Sequence, residues 1–300
     1  MRHREEGGSG SSRERFRDND AYRAAREWQR LEGTPQRELF RVLREDFLSR
    51  HPGRGPWVLD AGAGPGRFTA RLGPPDARDR VALDIGRSVL EELRLHWPNG
   101  VGAPAVPQRV RGDAVDPPFA PGGFGTVGAM GNLLGFAGPD SRRALRRLAE
   151  LVGPGGTLIL EVAPGPGERS RYLHRLPPGA VARLLRSPLA VILSRVAREG
   201  FVALPARRAT PRTFDRLDVA SVEREVAAAG FVRREALAVA PGLGGEPERV
   251  ARAAGDRTAW SRLLELEQAL GRDPERWPRA AAVLLAFERG PRETLKRSLM

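Results

Sequence analysis

The apolar residues of this 300-residue chain form short runs separated by stretches with helical spacing. Seven runs predict strands: 57–59, 80–86, 108–114, 124–136 with the loop that leaves the strand, 157–162, 231–239 and 281–287. Helical spacing predicts helices at 21–31, 34–49, 88–96, 141–152, 180–199, 219–229 and 258–270. One further helix is expected directly after the first strand, beginning near 66–69. The pattern indicates an open, mostly parallel α/β sheet.

The first strand ends at Asp60 and leads into Gly62, Gly64 and Gly66. Glycine has no Cβ, so this turn can bring backbone N–H groups close to a ligand, and the following helix would add its unpaired first-turn N–H groups. An ordinary strand-to-helix turn is the alternative. A dinucleotide-binding loop fits poorly, because G-x-G-x-x-G would need glycine where Arg67 stands.

The second strand also ends in an acid, Asp84, followed by Ile85. A carboxylate at this distance from the first strand is where a parallel α/β sheet binds ribose hydroxyls. The alternative is a helix-capping aspartate, although Ser88 is the expected cap of the next helix, as Ser141 is of the helix at 141–152.

The segment Asp60-x-Gly62-x-Gly64-x-Gly66 resembles the first motif of class I S-adenosylmethionine (SAM) dependent methyltransferases, of the type 11/25-like group. The resemblance implies a Rossmann-like three-layer sandwich with a seven-stranded, mostly parallel sheet whose last strand is antiparallel. It also implies SAM as the cofactor, with the glycine turn facing its methionine part. The implied cofactor-binding residues are Asp60, Ala61, Gly62, Gly64, Gly66, Asp84, Ile85, Asp113, Ala114, Met130 and Gly131.

Two later segments extend the resemblance. Gly112-Asp113-Ala114 is similar to the family's adenine-binding step, in which the acid accepts from the exocyclic amine; a surface aspartate before a turn is the alternative. Met130, Gly131 and Asn132 follow the fourth strand and should border the reacting centre. The chain departs from the family at Gly125, where related sequences usually carry an acid.

The sequence predicts a short tail followed by a single domain. Residues 1–18 cannot bury apolar area and are expected to be a disordered tail, and 19–300 a single SAM-binding domain. Within it, 19–52 supplies N-terminal helices, from which Tyr22 or Trp28 could reach the cofactor. Residues 164–217 are expected to form a substrate cap. No catalytic residue is assigned; Asn132, Tyr172 and His174 are the weak candidates for a base.

The composition bears on three questions: a nucleic-acid substrate, a metal site and the location of the protein. The net charge of +13 favours a nucleic-acid substrate. However, Lys296 is the only lysine among the 50 basic residues, which indicates a bias toward arginine over the whole chain and weakens that interpretation. The chain has no cysteine and four scattered histidines, so a metal site is not expected. With no secretory signal and no membrane-length apolar stretch, a cytoplasmic location is expected.

The predicted function is methyl transfer to a small-molecule acceptor by in-line displacement. Two alternatives stay open. One is an RNA methyltransferase that uses an arginine-rich surface, and the other is a SAM-binding homologue without catalysis. The acceptor atom and the oligomeric state are not predicted.

Overall fold

Seven strands form one sheet in the computed structural model, which describes residues 28, 32–98, 105–164, 217–243 and 246–291. They are β1 (Trp57–Ala61), β2 (Asp79–Asp84), β3 (Gln108–Arg111), β4 (Phe124–Ala129), β5 (Val152–Val162), β6 (Phe231–Val239) and β7 (Ala282–Arg289). Their order is β3-β2-β1-β4-β5-β7-β6. The first five strands pair in parallel, and β7 is antiparallel to both β5 and β6. The predicted Rossmann-like sheet is confirmed.

Helices cover both faces of the sheet. They are α1 (Pro35–Arg50), α2 (Arg87–His96), α3 (Leu133–Ala137), α4 (Ser141–Leu151), α5 (Val219–Ala228), α6 (Pro247–Ala254) and α7 (Arg257–Gly271). One apolar cluster joins the sheet to α3, α4 and α5, and a second joins it to α1, α6 and α7. A smaller cluster packs Leu90 and Leu93 of α2 on Ala82 of β2. The result is the expected three-layer arrangement.

One of the three predicted helix caps is confirmed and two are wrong. The Thr34 hydroxyl accepts the Arg37 N–H at 3.3 Å and begins α1, as predicted. The caps expected at Ser88 and Ser141 are wrong. Gly86 precedes α2 without a side-chain cap, and Ser141 is already the first residue of α4.

Two strand boundaries and one helix also differ from the prediction. β3 ends at Arg111, so 112–114 is loop, and β5 already begins at Val152. α6 was not among the predicted helices; Pro247 fits at its first position because the first turn of a helix needs no N–H donor from it. The predicted tail at 1–18 and the helix at 180–199 lie outside the described residues. So do the helix at 21–31, except Trp28, and the cap at 164–217, except its end residues.

Within the described residues, no helix has the length and apolar character needed to cross a membrane.

The structure explains why glycine occupies position 125. A Cβ added to Gly125 would lie 1.9 Å from the carbonyl oxygen of Arg54 and 2.8 Å from the Cα of Gly55. The backbone that leads into β1 therefore passes directly against β4. The acid that related sequences usually carry at this position has no room here.

Replacing Gly125 by alanine should destabilise the fold. The clash is with main chain and cannot be relieved by a rotamer change, so we expect the free energy of unfolding to fall by about 2–3 kcal/mol. Urea unfolding followed by circular dichroism measures it. Gly255→Ala is the control, because a Cβ there meets its nearest atom at an ordinary 3.5 Å; it should change stability by less than about 0.5 kcal/mol. Equal effects of the two substitutions would contradict the close approach.

Candidate functional site

The turn after β1 is held against β2 by its own backbone. Gly62, Gly64 and Gly66 have φ values of 67°, 54° and 82°, which side-chain-bearing residues rarely adopt. The N–H groups of Gly62 and Ala63 both donate to the Leu83 carbonyl, at 2.8 and 3.0 Å. The helix predicted here is absent: residues 64–71 form consecutive turns. Gly66 and Gly73 are both in the left-handed region, so neither can belong to a regular helix, and they bound the segment of turns.

Asp60 is buried at the end of β1. It is 2% exposed, and Oδ2 accepts the Thr69 hydroxyl at 2.6 Å. Burial raises the pKa of Asp60, the Thr69 hydrogen bond lowers it, and the negative charge of Asp84 raises it, which brings it from 3.8 to about 7. Asp60 can therefore hold a proton near neutral pH. The repulsion also shows that the two acids lie close enough to interact.

Asp84 connects β2 to the glycine turn. Its Oδ2 accepts the Gly64 N–H and its Oδ1 accepts the Gly86 N–H, both at 2.8 Å. The carboxylate thus bridges the turn and the residue before α2. Ile85, the next expected site residue, is half-buried beside it.

Asp113 lies next to this pair but faces its own loop. Arg111, the last residue of β3, is the register partner of Asp84, and Gly112 N–H donates to the Asp84 carbonyl at 2.9 Å. Oδ1 of Asp113 accepts the Val115 N–H at 3.0 Å. Ala114 is buried in the core. The ends of β1, β2 and β3 are therefore adjacent, and the charge of Asp84 contributes to the raised pKa of Asp60.

The loop after β4 has an unusual backbone. Gly131 and Asn132 have φ values of 68° and 62°, so two successive residues are left-handed. A Cβ added to Gly131 would meet nothing within 4 Å. The side chain of Met130 belongs to the core on the α1 face, as that of Ala61 belongs to the core on the opposite face, so either residue would contact a ligand through its backbone.

Of the three candidate bases, the structure describes Asn132. The Asn132 Oδ1 accepts the Ala163 N–H at 3.2 Å, which connects the loop to the end of β5. Tyr172 and His174 lie outside the described residues. Within the described part of the chain, no three His, Cys, Asp or Glu side chains are grouped so as to hold a metal ion.

Sequence reasoning missed two buried charged residues beside this loop, Arg44 of α1 and Glu161 of β5. Their side chains form an ion pair, and Glu161 also accepts the Gly131 N–H. One signal was present: a glutamate inside the apolar run 157–162 needs a buried partner. Its partner could not be found by spacing, because it lies 117 residues away.

Trp28 packs over the glycine turn and the end of α2. Its ring stacks on His96, with centroids 3.9 Å apart and planes 5° apart, and the Arg67 guanidinium lies 4.9 Å from its centroid. The N-terminal segment therefore reaches the turn at this point. Tyr22, the other aromatic residue expected here, lies outside the described residues.

Known proteins resemble this chain in sequence and in fold. Residues 58–156 match the family model described as "Methyltransferase domain". The O-methyltransferase cnsE of Penicillium expansum is 28% identical over 120 residues, which are 40% of this chain and 42% of the relative. The chain thus spans less than half the length of that relative.

Solved structures share the fold across nearly the whole chain. The partner of the Trm112 methyltransferase activator from Haloferax volcanii has a TM-score of 0.54 and 17% identity, over 92% of this chain and 97% of its own. Magnesium protoporphyrin IX methyltransferase (ChlM) from Synechocystis PCC 6803, solved with bound SAM, has a TM-score of 0.53 and 12% identity, over 95% and 100%. The match over residues 58–156 and the shared fold make this chain similar to the class I SAM-dependent methyltransferases.

The raised pKa of Asp60 predicts a pH dependence of stability. In the folded chain the group keeps its proton up to pH about 7, whereas the unfolded chain releases it near 3.8. The stability that this proton contributes is full below the unfolded pKa and is lost as the pH rises through 7. Between pH 5 and 8 this loss should be about 2–3 kcal/mol in the free energy of unfolding.

Urea unfolding of the ligand-free chain at several pH values measures this loss. Asp60→Asn removes the titration, so its stability should change less over the same interval. Thr69→Val removes the hydrogen bond that lowers the pKa and should move the transition to higher pH. Identical pH profiles for Asp60→Asn and the unmodified chain would show that Asp60 does not titrate in this range.

Proposed function

We propose that this chain is a SAM-dependent methyltransferase that acts on a small-molecule acceptor. The observation that supports it best is the pair Asp60 and Asp84, at the ends of two adjacent parallel strands on either side of the glycine turn. Two acids in this position favour a ligand that carries both hydroxyl groups and positive charge. A SAM molecule has ribose hydroxyls, an ammonium group and a sulfonium.

The residues around the turn fit such a ligand. A Cβ added to Gly64 or to Gly131 would meet nothing within 4 Å, so both peptide units border open space. Asp84 would accept the ribose hydroxyls, and Asp60 would stabilise the nearby positive charge. By resemblance to the family, Asp113 would accept the adenine amine and the Ala114 N–H would meet the ring.

The chemistry needs little from the protein beyond orientation. When bound, SAM supplies a methyl group on a positively charged sulfur, which is a good leaving group. The chain would hold the acceptor in line with that methyl, and such positioning is worth roughly 7–11 kcal/mol of the barrier. The loop at 130–132 follows the carboxyl end of β4 and would border the reacting centre.

Surface charge supports a small acceptor over RNA. Three of the four arginines of α4 form ion pairs with carboxylates: Arg142 and Arg146 with Glu225, and Arg147 with Glu150. One feature favours RNA as a second candidate acceptor. Arg87, Arg109 and Arg111 line a groove along the free edge of β3, and the guanidinium groups of Arg109 and Arg111 donate to backbone carbonyls. Binding of RNA there would weaken steeply with salt.

Incubation with tritiated SAM and a cell extract tests the proposal. We expect label in the small-molecule fraction and none above background in the RNA or protein fraction. Label in RNA would favour the second candidate. SAM binding without label in any fraction would favour a non-catalytic homologue, and no SAM binding would overturn the proposal.

Two aspartates of β2 provide a matched pair of variants. Asp84→Asn, at the carboxyl end, should weaken SAM binding at least about tenfold, because it removes the charged acceptor of the ribose hydroxyls. Asp79→Asn changes the same residue type at the amino end of the same strand and should leave binding within about twofold. Isothermal titration calorimetry measures both. Equal effects would place the ligand elsewhere.

Cofactor binding should also release a proton. A positive charge beside Asp60 favours its ionised form and lowers its pKa from about 7. Titration with S-adenosylhomocysteine (SAH), which retains the ammonium group, in two buffers of different ionisation enthalpy should therefore show release of most of one proton at pH 6 and much less at pH 8. Asp60→Asn should abolish the difference. Proton uptake at pH 6 would be the opposite of this expectation.

A further inference from the structure

Arg44 and Glu161 form a charge pair in the protein interior. Their relative exposures are 5% and 3%. The Arg44 Nε donates to Glu161 Oε2 at 3.0 Å and its Nη2 to Oε1 at 2.7 Å, a side-on pair, while Nη1 donates to the Phe40 carbonyl at 2.9 Å. Desolvation makes such a pair a weak source of stability, and apolar residues of similar size often replace one without loss. Stability alone therefore does not explain it.

Glu161 makes a third contact that extends to the candidate site. Its Oε2 accepts the Gly131 N–H at 3.1 Å. Gly131 and Asn132 are both left-handed, a conformation that costs glycine little but that a residue with a side chain, such as Asn132, rarely adopts. Glu161 holds the first of these residues, and the Ala163 N–H, donating to Asn132 Oδ1 at 3.2 Å, holds the second. Two residues at the end of β5 thus fix the loop that follows β4.

The contact also fixes the direction of the neighbouring carbonyl. The described chain has no cis peptide bond, so the Met130 carbonyl points opposite to the Gly131 N–H and away from Glu161. This peptide unit borders open space next to the end of β1, since β1 and β4 are paired. We propose that Glu161, oriented by Arg44, is a positioning residue that holds the 130–131 peptide unit for cofactor binding. The inference rests on the proposed SAM-binding function.

Two double variants separate the hydrogen bond from the charge pair. Arg44→Met with Glu161→Gln removes both charges but keeps a side-chain oxygen that accepts the Gly131 N–H. Arg44→Met with Glu161→Met removes both charges and this acceptor. Neither variant leaves a lone buried charge, so both should fold, as thermal unfolding by circular dichroism will check.

SAH binding to the full chain, measured by calorimetry, is the readout. The variant with glutamine at position 161 should keep its Kd within about threefold of the unmodified chain, and the variant with methionine should bind at least about tenfold more weakly. Glu267→Gln is the control. Glu267 is also a fully buried carboxylate that accepts backbone N–H groups, from Gly242 and Leu243, but beyond β6. Its substitution should leave the Kd unchanged.

Equal SAH affinity of the two double variants would overturn the positioning role while leaving the proposed function in place. Failure of the unmodified chain to bind SAH would instead overturn the proposed function and, with it, the inference.

A single variant covers the case in which a double variant fails to fold. Arg44→Lys keeps the charge but cannot make the side-on pair. We expect faster amide hydrogen exchange in the peptide containing residues 130–132, unchanged exchange in β2, and SAH binding weakened by about two- to threefold, as in the double variant with glutamine. Exchange and affinity that both match the unmodified chain would overturn the inference.

Discussion

The closeness of Asp60 and Asp84 is the constraint on which the site depends. Parallel pairing of β1 with β2 brings both acids to one edge of the sheet, where burial makes the charge of Asp60 costly and repulsion by Asp84 adds to that cost. The chain offsets this cost with the Thr69 hydroxyl, with backbone N–H groups from the glycine turn, and with the ability of Asp60 to retain its proton. A bound cation would relieve the same repulsion. The feature that destabilises the ligand-free chain is therefore the one that favours a cationic ligand.

The loop after β4, at the neighbouring part of this edge, is held by side-chain hydrogen bonds. At the ends of β4 and β5 the loop backbone is left-handed at two successive residues, and the side chains of Glu161 and Asn132 hold it through hydrogen bonds with Gly131 and Ala163. Arg44 brings α1 into this arrangement. Packing of α1 on the sheet thus contributes to the site through one side chain, although α1 lies outside the segment that matches the methyltransferase family.

The sheet, its order of elements and the acids at the strand ends were predictable from sequence, because each depends on local patterns: apolar runs, a glycine turn and the residue that ends a strand. The helix after the glycine turn was predicted wrongly, since the effect of Gly66 depends on its left-handed backbone. Sequence spacing could not identify Arg44 as the partner of Glu161, because only the folded sheet brings α1 and β5 together. The absence of a side chain at Gly125 likewise has a cause that is visible only where two backbone segments meet.

The position of β7 has a consequence for how the chain folds during synthesis. β7 follows β6 in the chain but lies between β5 and β6, and among the described strands β6 is hydrogen-bonded to β7 alone. As the chain leaves the ribosome, β1 to β5 can assemble first, while β6 has no neighbour to join until residues 282–289 emerge. During this interval the edge of β5 is open, and open edges invite pairing with other chains. Insertion of a single strand between two others thus completes the sheet and closes the edge on which a nascent chain would aggregate.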